Sequence, residues 1–228
     1  MPVGWGEMTP AGSDMLHYPK IPGSRNAPGG RCLAFDKVDG TNLHWDWDRD
    51  FGWHAFGTRR DSFNLTAEGI DQFHAAHPGL EQAPAAFLRQ LAEGLDRTLR
   101  DNHRYARAQA VQVFTEYAGP NSFAGAHAPG DAMEVVLFDV VADDIGVVGP
   151  WSFVADFGHL RTPRIVYEGK LTGAFLEAVR EGKYEVHEGV VCKGGTGGVD
   201  VWRIKVKTYA YLERLKAHFG ERWGDYWE

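Results

Sequence analysis

Lys37 is followed by Val38, Asp39, Gly40, Thr41 and Asn42, and the chain later supplies Thr58-Arg59-Arg60, Thr115-Glu116-Tyr117, His187-Glu188-Gly189-Val190-Val191 and Arg203-Ile204-Lys205-Val206-Lys207. Together these segments hold what a lysine nucleophile needs to attack a phosphate ester: carboxylates, an arginine pair and further lysines. Lys-x-Asp-Gly by itself is an ordinary polar turn, so it is the ordered series of segments that points to chemistry. A free lysine has a pKa of about 10.4, and near neutral pH only about one in a thousand is the attacking amine. Lowering that pKa by about three units takes about 4 kcal/mol of preference for the neutral form, which neighbouring cations and partial burial can supply. Lys205 and Lys207 are the expected cations. Two residues apart on a strand, they share one face and can converge on one phosphate, while Val206 turns to the core. Taken alone, the same spacing also suits an exposed edge strand guarded by lysines.

In that order and at those separations, over about residues 17 to 208, the chain resembles the covalent nucleotidyltransferases, the superfamily of ATP-dependent ligases and capping enzymes. The segment from Lys37 to Asn42 is most similar to the RNA-ligase branch typified by phage T4 RNA ligase 2 and the RNA-editing ligases, which often carries His where this chain has Asp39. The resemblance implies an ATP-dependent enzyme that carries AMP on Lys37, passes it to an RNA 5'-phosphate and seals that end to a 3'-OH. It makes Glu188 the ligand of Mg2+ or Mn2+, Glu116 the acceptor of ribose hydroxyls, and Phe138, in Leu137-Phe138-Asp139-Val140-Val141, the ring that stacks on the purine. Arg59 matches the arginine that binds the acceptor 5'-phosphate, and Arg60 can share or replace it. Asp39 and Gly40 complete the nucleophile's turn, Asp39 holding the lysine or the metal shell and Gly40 taking a backbone conformation other residues avoid. Magnesium keeps several waters, so one or two carboxylates plus nucleotide phosphates make an adequate site. ATP is favoured over NAD, because the lead-in shows no added domain for the nicotinamide half. The alternatives are a DNA ligase, a dedicated 5'-adenylating enzyme, and a non-catalytic module that binds nucleotide or RNA ends. A binding module need not keep the nucleophile with Glu116, Glu188, Lys205 and Lys207.

Strands must hold most of these residues. Residues 1 to 30 read as an extended lead-in anchored at Tyr18-Pro19-Lys20-Ile21-Pro22. Cys32-Leu33-Ala34-Phe35 is an apolar strand, Thr41 to Trp47 alternates as a half-buried strand, and 51–57 is its hairpin partner. Helical spacing runs over 66–77, with Thr66 as its cap, and over 82–102 through Phe87, Leu88, Leu91, Leu95 and Leu99. Strands are expected at 109–117, 134–142, 185–193 and 199–207, and helices at 150–160, 170–182 and 208–219. Hairpin-connected strands with interspersed helices make an α+β class with antiparallel sheets and flanking helices. The resemblance adds that this is an ATP-grasp-like ligase catalytic domain with the nucleotide in the cleft between its sheets. The Gly194-Gly195-Thr196-Gly197-Gly198 run lacks the Gly-Lys-Ser/Thr ending of a phosphate loop and reads as a hairpin loop. Asn121 to His127 is a polar loop that could reach the nucleotide or the RNA end.

A chain of 228 residues, 43% hydrophobic, can bury one substantial core. We expect one nucleotidyltransferase domain over 1–228, since only about twenty residues follow Lys207. That leaves no room for a C-terminal oligonucleotide-binding (OB) barrel or helical domain, which disfavours capping and DNA ligation and leaves sealing dependent on a partner protein that presents the RNA. The net charge of -7 excludes a broad nucleic-acid-binding surface, because Lys and Arg neutralising phosphates supply most non-specific affinity. RNA contact is therefore local, at Lys20, Arg25, Arg31, Arg59 and Arg60. Two cysteines make no disulfide framework and fit a reducing compartment. With no signal peptide or membrane-length apolar run, the expected location is the cytoplasm, the host's if the protein is phage-encoded. The ten histidines show no zinc-ligand spacing.

Overall fold

The computed structural model describes residues 18–119 and 130–226. Its strands, in chain order, are β1 (Arg31–Asp36), β2 (Thr41–Asp48), β3 (Gly52–Gly57), β4 (Ser62–Asn64), β5 (Ala110–Ala118), β6 (Glu134–Ala142), β7 (Gly146–Val147), β8 (Ile165–Lys170), β9 (Gly189–Gly194) and β10 (Trp202–Lys207). They form two antiparallel sheets, ordered β10-β9-β1-β8 and β4-β3-β2-β5-β6-β7. β1 belongs to the first sheet and β2 to the second, so the short connection from Lys37 to Gly40 crosses between the sheets.

The helices are α1 (Ala67–Ala76), α2 (Ala83–Phe87), α3 (Glu93–Asp101), α4 (Pro150–Phe157), α5 (Gly173–Arg180) and α6 (Tyr209–Phe219). Thr66 caps α1 as expected, its hydroxyl accepting from the Gly69 N–H at 3.2 Å. The first three helices and the turn joining α2 to α3 bury Phe73, Phe87, Leu91, Leu95 and Leu99 against Trp45, Trp47, Phe56 and Val113 of the second sheet. There the Trp45 ring stacks on Phe87 at 3.9 Å. Each such aromatic removes a large apolar area from water, which makes this the principal core. A smaller core joins Phe175 and Val179 of α5 to Cys32, Ala34, Val190, Cys192, Ile204 and Val206 of the first sheet. Among the described residues no helix is long and apolar enough to cross a membrane.

The architecture is the expected α+β arrangement with antiparallel sheets, but three local expectations change. The helix over 82–102 is divided by a π turn at Leu88–Ala92. Phe87, Leu91, Leu95 and Leu99 recur every fourth residue, a spacing that drifts by about 40° per step in a regular α-helix, and a wider turn offsets the drift. Leu88, counted on that face, is instead 46% exposed. Residues 165–170, unassigned between two helices, form β8. It is an edge strand without a fully buried residue, so its side-chain pattern carries little signal. On β2, Leu43, His44 and Trp45 are buried in succession, so half-burial does not hold for this strand.

Candidate active site

The turn that carries Lys37 is pinned by backbone contacts. Lys37 N–H donates to the Gly189 carbonyl at 2.9 Å, and Asp36 N–H to that of Arg164 at 2.8 Å. Gly40 does not take the unusual backbone conformation expected of it, since its φ is not positive. Glycine is needed there because a Cβ would collide with the Tyr117 carbonyl oxygen. The turn thus lies directly against β5, where Asn42 stands opposite Glu116 in the register. Gly189 combines both constraints: its φ is 150°, and a Cβ would strike the Val206 carbonyl, so β9 begins tightly against β10 with Gly189 opposite Lys207.

Between the sheets lies a cavity of about 630 Å³. Lys37 lines it, with Glu116 from β5, Phe138 from β6, Arg59 and Arg60 from the β3–β4 turn, Glu188 just before β9, and Lys205 and Lys207 from β10. Segments separated by up to about 170 residues in the chain therefore meet on one surface. Asp39 does not line it; with Lys37, Asp39 borders a neighbouring cavity of about 280 Å³. Lys205 and Lys207 share the cavity face, while Val206 is fully buried in the smaller core. Of the other expected RNA contacts, Lys20 lines the cavity, whereas Arg25 and Arg31 do not. Arg31 pairs with Glu168 at 2.9 Å. The loop from Asn121 to His127 lies outside the described residues.

Glu188 is 2% exposed and precedes β9 instead of lying within a strand. Its carboxylate receives the Lys37 ammonium at 2.7 Å and lies 3.6 Å from that of Lys207. This contact works against the neutral Lys37 expected from the sequence. Burial pulls that lysine toward the amine, but the charges of Glu188 and Glu116 outweigh it and hold its pKa above the ordinary lysine value. The depressed lysines are its neighbours. Burial, then Lys207 and Lys37, push Lys205 down to about 8, and burial lowers Lys207 despite its contact with Glu188. Burial also raises Glu116 to about 7, against the pull of Lys37.

Phe138 reaches the cavity through a bulge. Phe114 pairs with Asp139 and Thr115 with Leu137, leaving Phe138 as the extra residue of β6. A bulge re-aims side chains; here Leu137 joins the principal core, while Phe138 lines the cavity. Beside it is an ionic cluster that sequence reading missed. Asp139 accepts from Lys193 Nζ at 2.8 Å, Arg203 Nε at 2.9 Å and the Tyr18 hydroxyl at 2.5 Å, and all four residues are less than 9% exposed. The pull of Arg203 and Lys193 outweighs the effect of burial and holds the Asp139 carboxyl below its ordinary range. A signal was present: Asp139 is a charge inside an apolar strand run and Lys193 directly follows one, and buried charges require partners.

Among the described residues, no group of three or more His, Cys, Asp and Glu side chains is placed to enclose a metal ion. Glu188, buried and lining the cavity, is the hard oxygen donor that Mg2+ accepts when its remaining ligands are waters and phosphate oxygens. The residues therefore fit a cation shared with a bound nucleotide.

No protein-family model and no curated protein sequence matches the chain. Solved structures do. An archaeal ATP-dependent RNA ligase aligns with a TM-score of 0.55 at 15% identity, covering 90% of this chain and 52% of that one. Naegleria gruberi RNA ligase with PPi aligns at 0.52 and 17% identity, covering 83% and 53%. A point mutant of the Naegleria enzyme with ATP and Mn aligns at 0.52 and 18%, covering 82% and 52%. The chain spans about half the length of these structures. At such identities the likeness is one of fold, and the chain has the mixed α/β fold with antiparallel sheets seen in these RNA ligases.

Proposed function

We propose that this chain is the nucleotidyltransferase domain of an ATP-dependent RNA ligase of the RNA ligase 2 type, working through AMP held covalently on Lys37. One observation carries this reading: Lys37, on the crossing between the sheets, faces the same cavity as Glu116, Phe138, Glu188, Lys205 and Lys207, all supplied by other segments. The fold shared with solved RNA ligases supports it.

In the first step Lys37 gives up its ammonium proton to solvent, and the neutral Nζ attacks the α-phosphorus of ATP. A nitrogen–phosphorus bond forms, the bond to the bridging oxygen breaks, and pyrophosphate leaves. In the second, a 5'-phosphate oxygen of RNA takes the adenylyl group and the lysine amine departs. In the third, a 3'-OH attacks that activated phosphate and AMP is released. Lys205 and Lys207 face the charge that develops on the phosphate, and as partly or fully buried cations on a rigid strand they are fixed in place to stabilise it. Phe138 offers a ring face to the base, and Glu116 accepts ribose hydroxyls when ionised. Glu188 would hold a divalent cation, which when bound would supply neutralisation of phosphate charge and draw the carboxylate away from the Lys37 ammonium. Among the described residues Arg59 and Arg60 form no ion pair, whereas Arg31, Arg161, Arg164 and Arg203 each pair with a carboxylate. Two uncommitted guanidiniums at the cavity edge suit an acceptor phosphate.

Incubation with Mg2+ and ATP labelled at the α-phosphate is expected to give label that survives denaturation and maps to Lys37. Lys37→Ala is expected to abolish that label and ATP-driven sealing while retaining part of the sealing of RNA already carrying a 5'-adenylate. Nicked RNA, nicked DNA and single-stranded 5'-phosphate RNA then separate RNA ligation from DNA ligation and from plain 5'-adenylation. Absence of covalent label with any nucleotide and metal would overturn the proposal.

A further inference from the structure

The Arg59–Arg60 turn is short and exposed, yet it is tied from beneath. Gly57 and Ser62 pair across it, leaving Thr58, Arg59, Arg60 and Asp61 as the loop. One Asp61 oxygen accepts from the Thr58 N–H at 3.2 Å and from its hydroxyl at 2.6 Å, and that hydroxyl accepts from the Arg60 N–H at 3.2 Å. The other carboxylate oxygen lies 2.7 Å from Nε2 of His77. His77 is the residue at which α1 ends; its N–H donates to the Phe73 carbonyl at 2.9 Å, and its ring packs on Phe63 and Phe73. Thr58, both arginines and His77 line the cavity, while Asp61 does not. The carboxylate therefore spends one oxygen on the loop backbone and the other on a helix terminus packed into the core.

We propose that Asp61 and His77 are positioning residues, a clasp that fixes the Arg59–Arg60 turn for the acceptor phosphate and so acts on AMP transfer to RNA more than on loading of Lys37. This rests on the proposed Lys37 chemistry. A two-residue flexible cation pair would otherwise have to lose its loop freedom each time RNA binds; the clasp removes that cost beforehand. A histidine that only ends α1 would serve fold stability and would not separate the two steps.

The test uses the full chain preloaded with labelled AMP, mixed with increasing 5'-phosphorylated nicked RNA in single turnovers. His77→Leu is expected to raise the half-saturating RNA concentration about tenfold, the size of one lost hydrogen bond to a charged group, with loading of Lys37 slowed twofold or less. His77→Gln, which keeps a nitrogen donor near the position of Nε2, is expected to recover most of that loss. Asp61→Asn is expected to match His77→Leu, with the double variant no worse than either. Melting temperatures are read alongside, and if His77→Leu unfolds, His77→Gln and Asp61→Asn decide the matter. Unchanged RNA dependence, equal slowing of both steps, or a glutamine variant as poor as leucine would overturn the clasp. Failure of the unaltered chain to load AMP would instead sink the functional reading beneath it.

Discussion

Replacing Glu188 by Gln removes a buried carboxylate that both Lys37 and Lys207 approach, while keeping its shape. At an effective dielectric of about 20, a unit-charge pair at the observed 2.7 Å separation is worth about 6 kcal/mol, and one at 3.6 Å about 5 kcal/mol. Taking the carboxylate out of water costs several kcal/mol, so these attractions are largely offset in the intact protein. In the variant Lys37 and Lys207 lose this attraction while staying largely buried, and Lys37 keeps only the weaker pull of Glu116 and Asp39. We expect Glu188→Gln to lose about 3–5 kcal/mol of stability, the usual result of stripping one partner from a buried pair. Lys37→Met in the same background removes one of the two cations that lost this carboxylate and should return at least about 1 kcal/mol. Urea unfolding at pH 7, followed by circular dichroism for the parent, both single variants and the double, measures the coupling directly. A Glu188→Gln protein within about 0.5 kcal/mol of the parent, or strictly additive effects, would refute the reasoning.

Further outcomes follow from the same geometry. Lys205→Ala and Lys207→Ala should each slow Lys37 labelling by about 100-fold or more, with poor rescue by Arg because its planar fork differs from an ammonium, as read from label accumulation. Arg59→Ala should impair transfer to a 5'-phosphate far more than loading of Lys37, and the logarithm of RNA affinity in a salt titration should fall against log salt with a slope of only about -2 to -4. Lys205 should also leave a mark on stability. Its folded pKa, about 8, lies below the ordinary 10.5, so the charged form is disfavoured by folding. Below pH 8 the penalty is fully present; between about 8 and 10.5 the unfolded chain holds the extra proton, and stability rises with pH. Denaturation across that window should show the rise in the parent protein and a flatter profile in Lys205→Met.

Local pattern determined the parts of this protein that depend on near neighbours in sequence. The strand period of two put Lys205 and Lys207 on one face with Val206 in the core. Thr66 announced the start of α1, and apolar runs located β1, β5, β6 and β9 to within a few residues, except that Glu188 falls just outside β9. What only the tertiary structure decided is which groups meet and in what charge state. Glu188 lies 151 residues from Lys37 in the chain, so no local pattern reveals that its carboxylate holds Lys37 as an ammonium. Lys205 has the depressed pKa because burial and two neighbouring lysines act on it together. The bulge at Phe138 depends on how β5 and β6 pair, and the partners of Asp139 come from the lead-in and from two strands of the other sheet. Periodicity is set by backbone geometry within an element, whereas register, desolvation and charge pairing are properties of surfaces that exist only once the two sheets face each other.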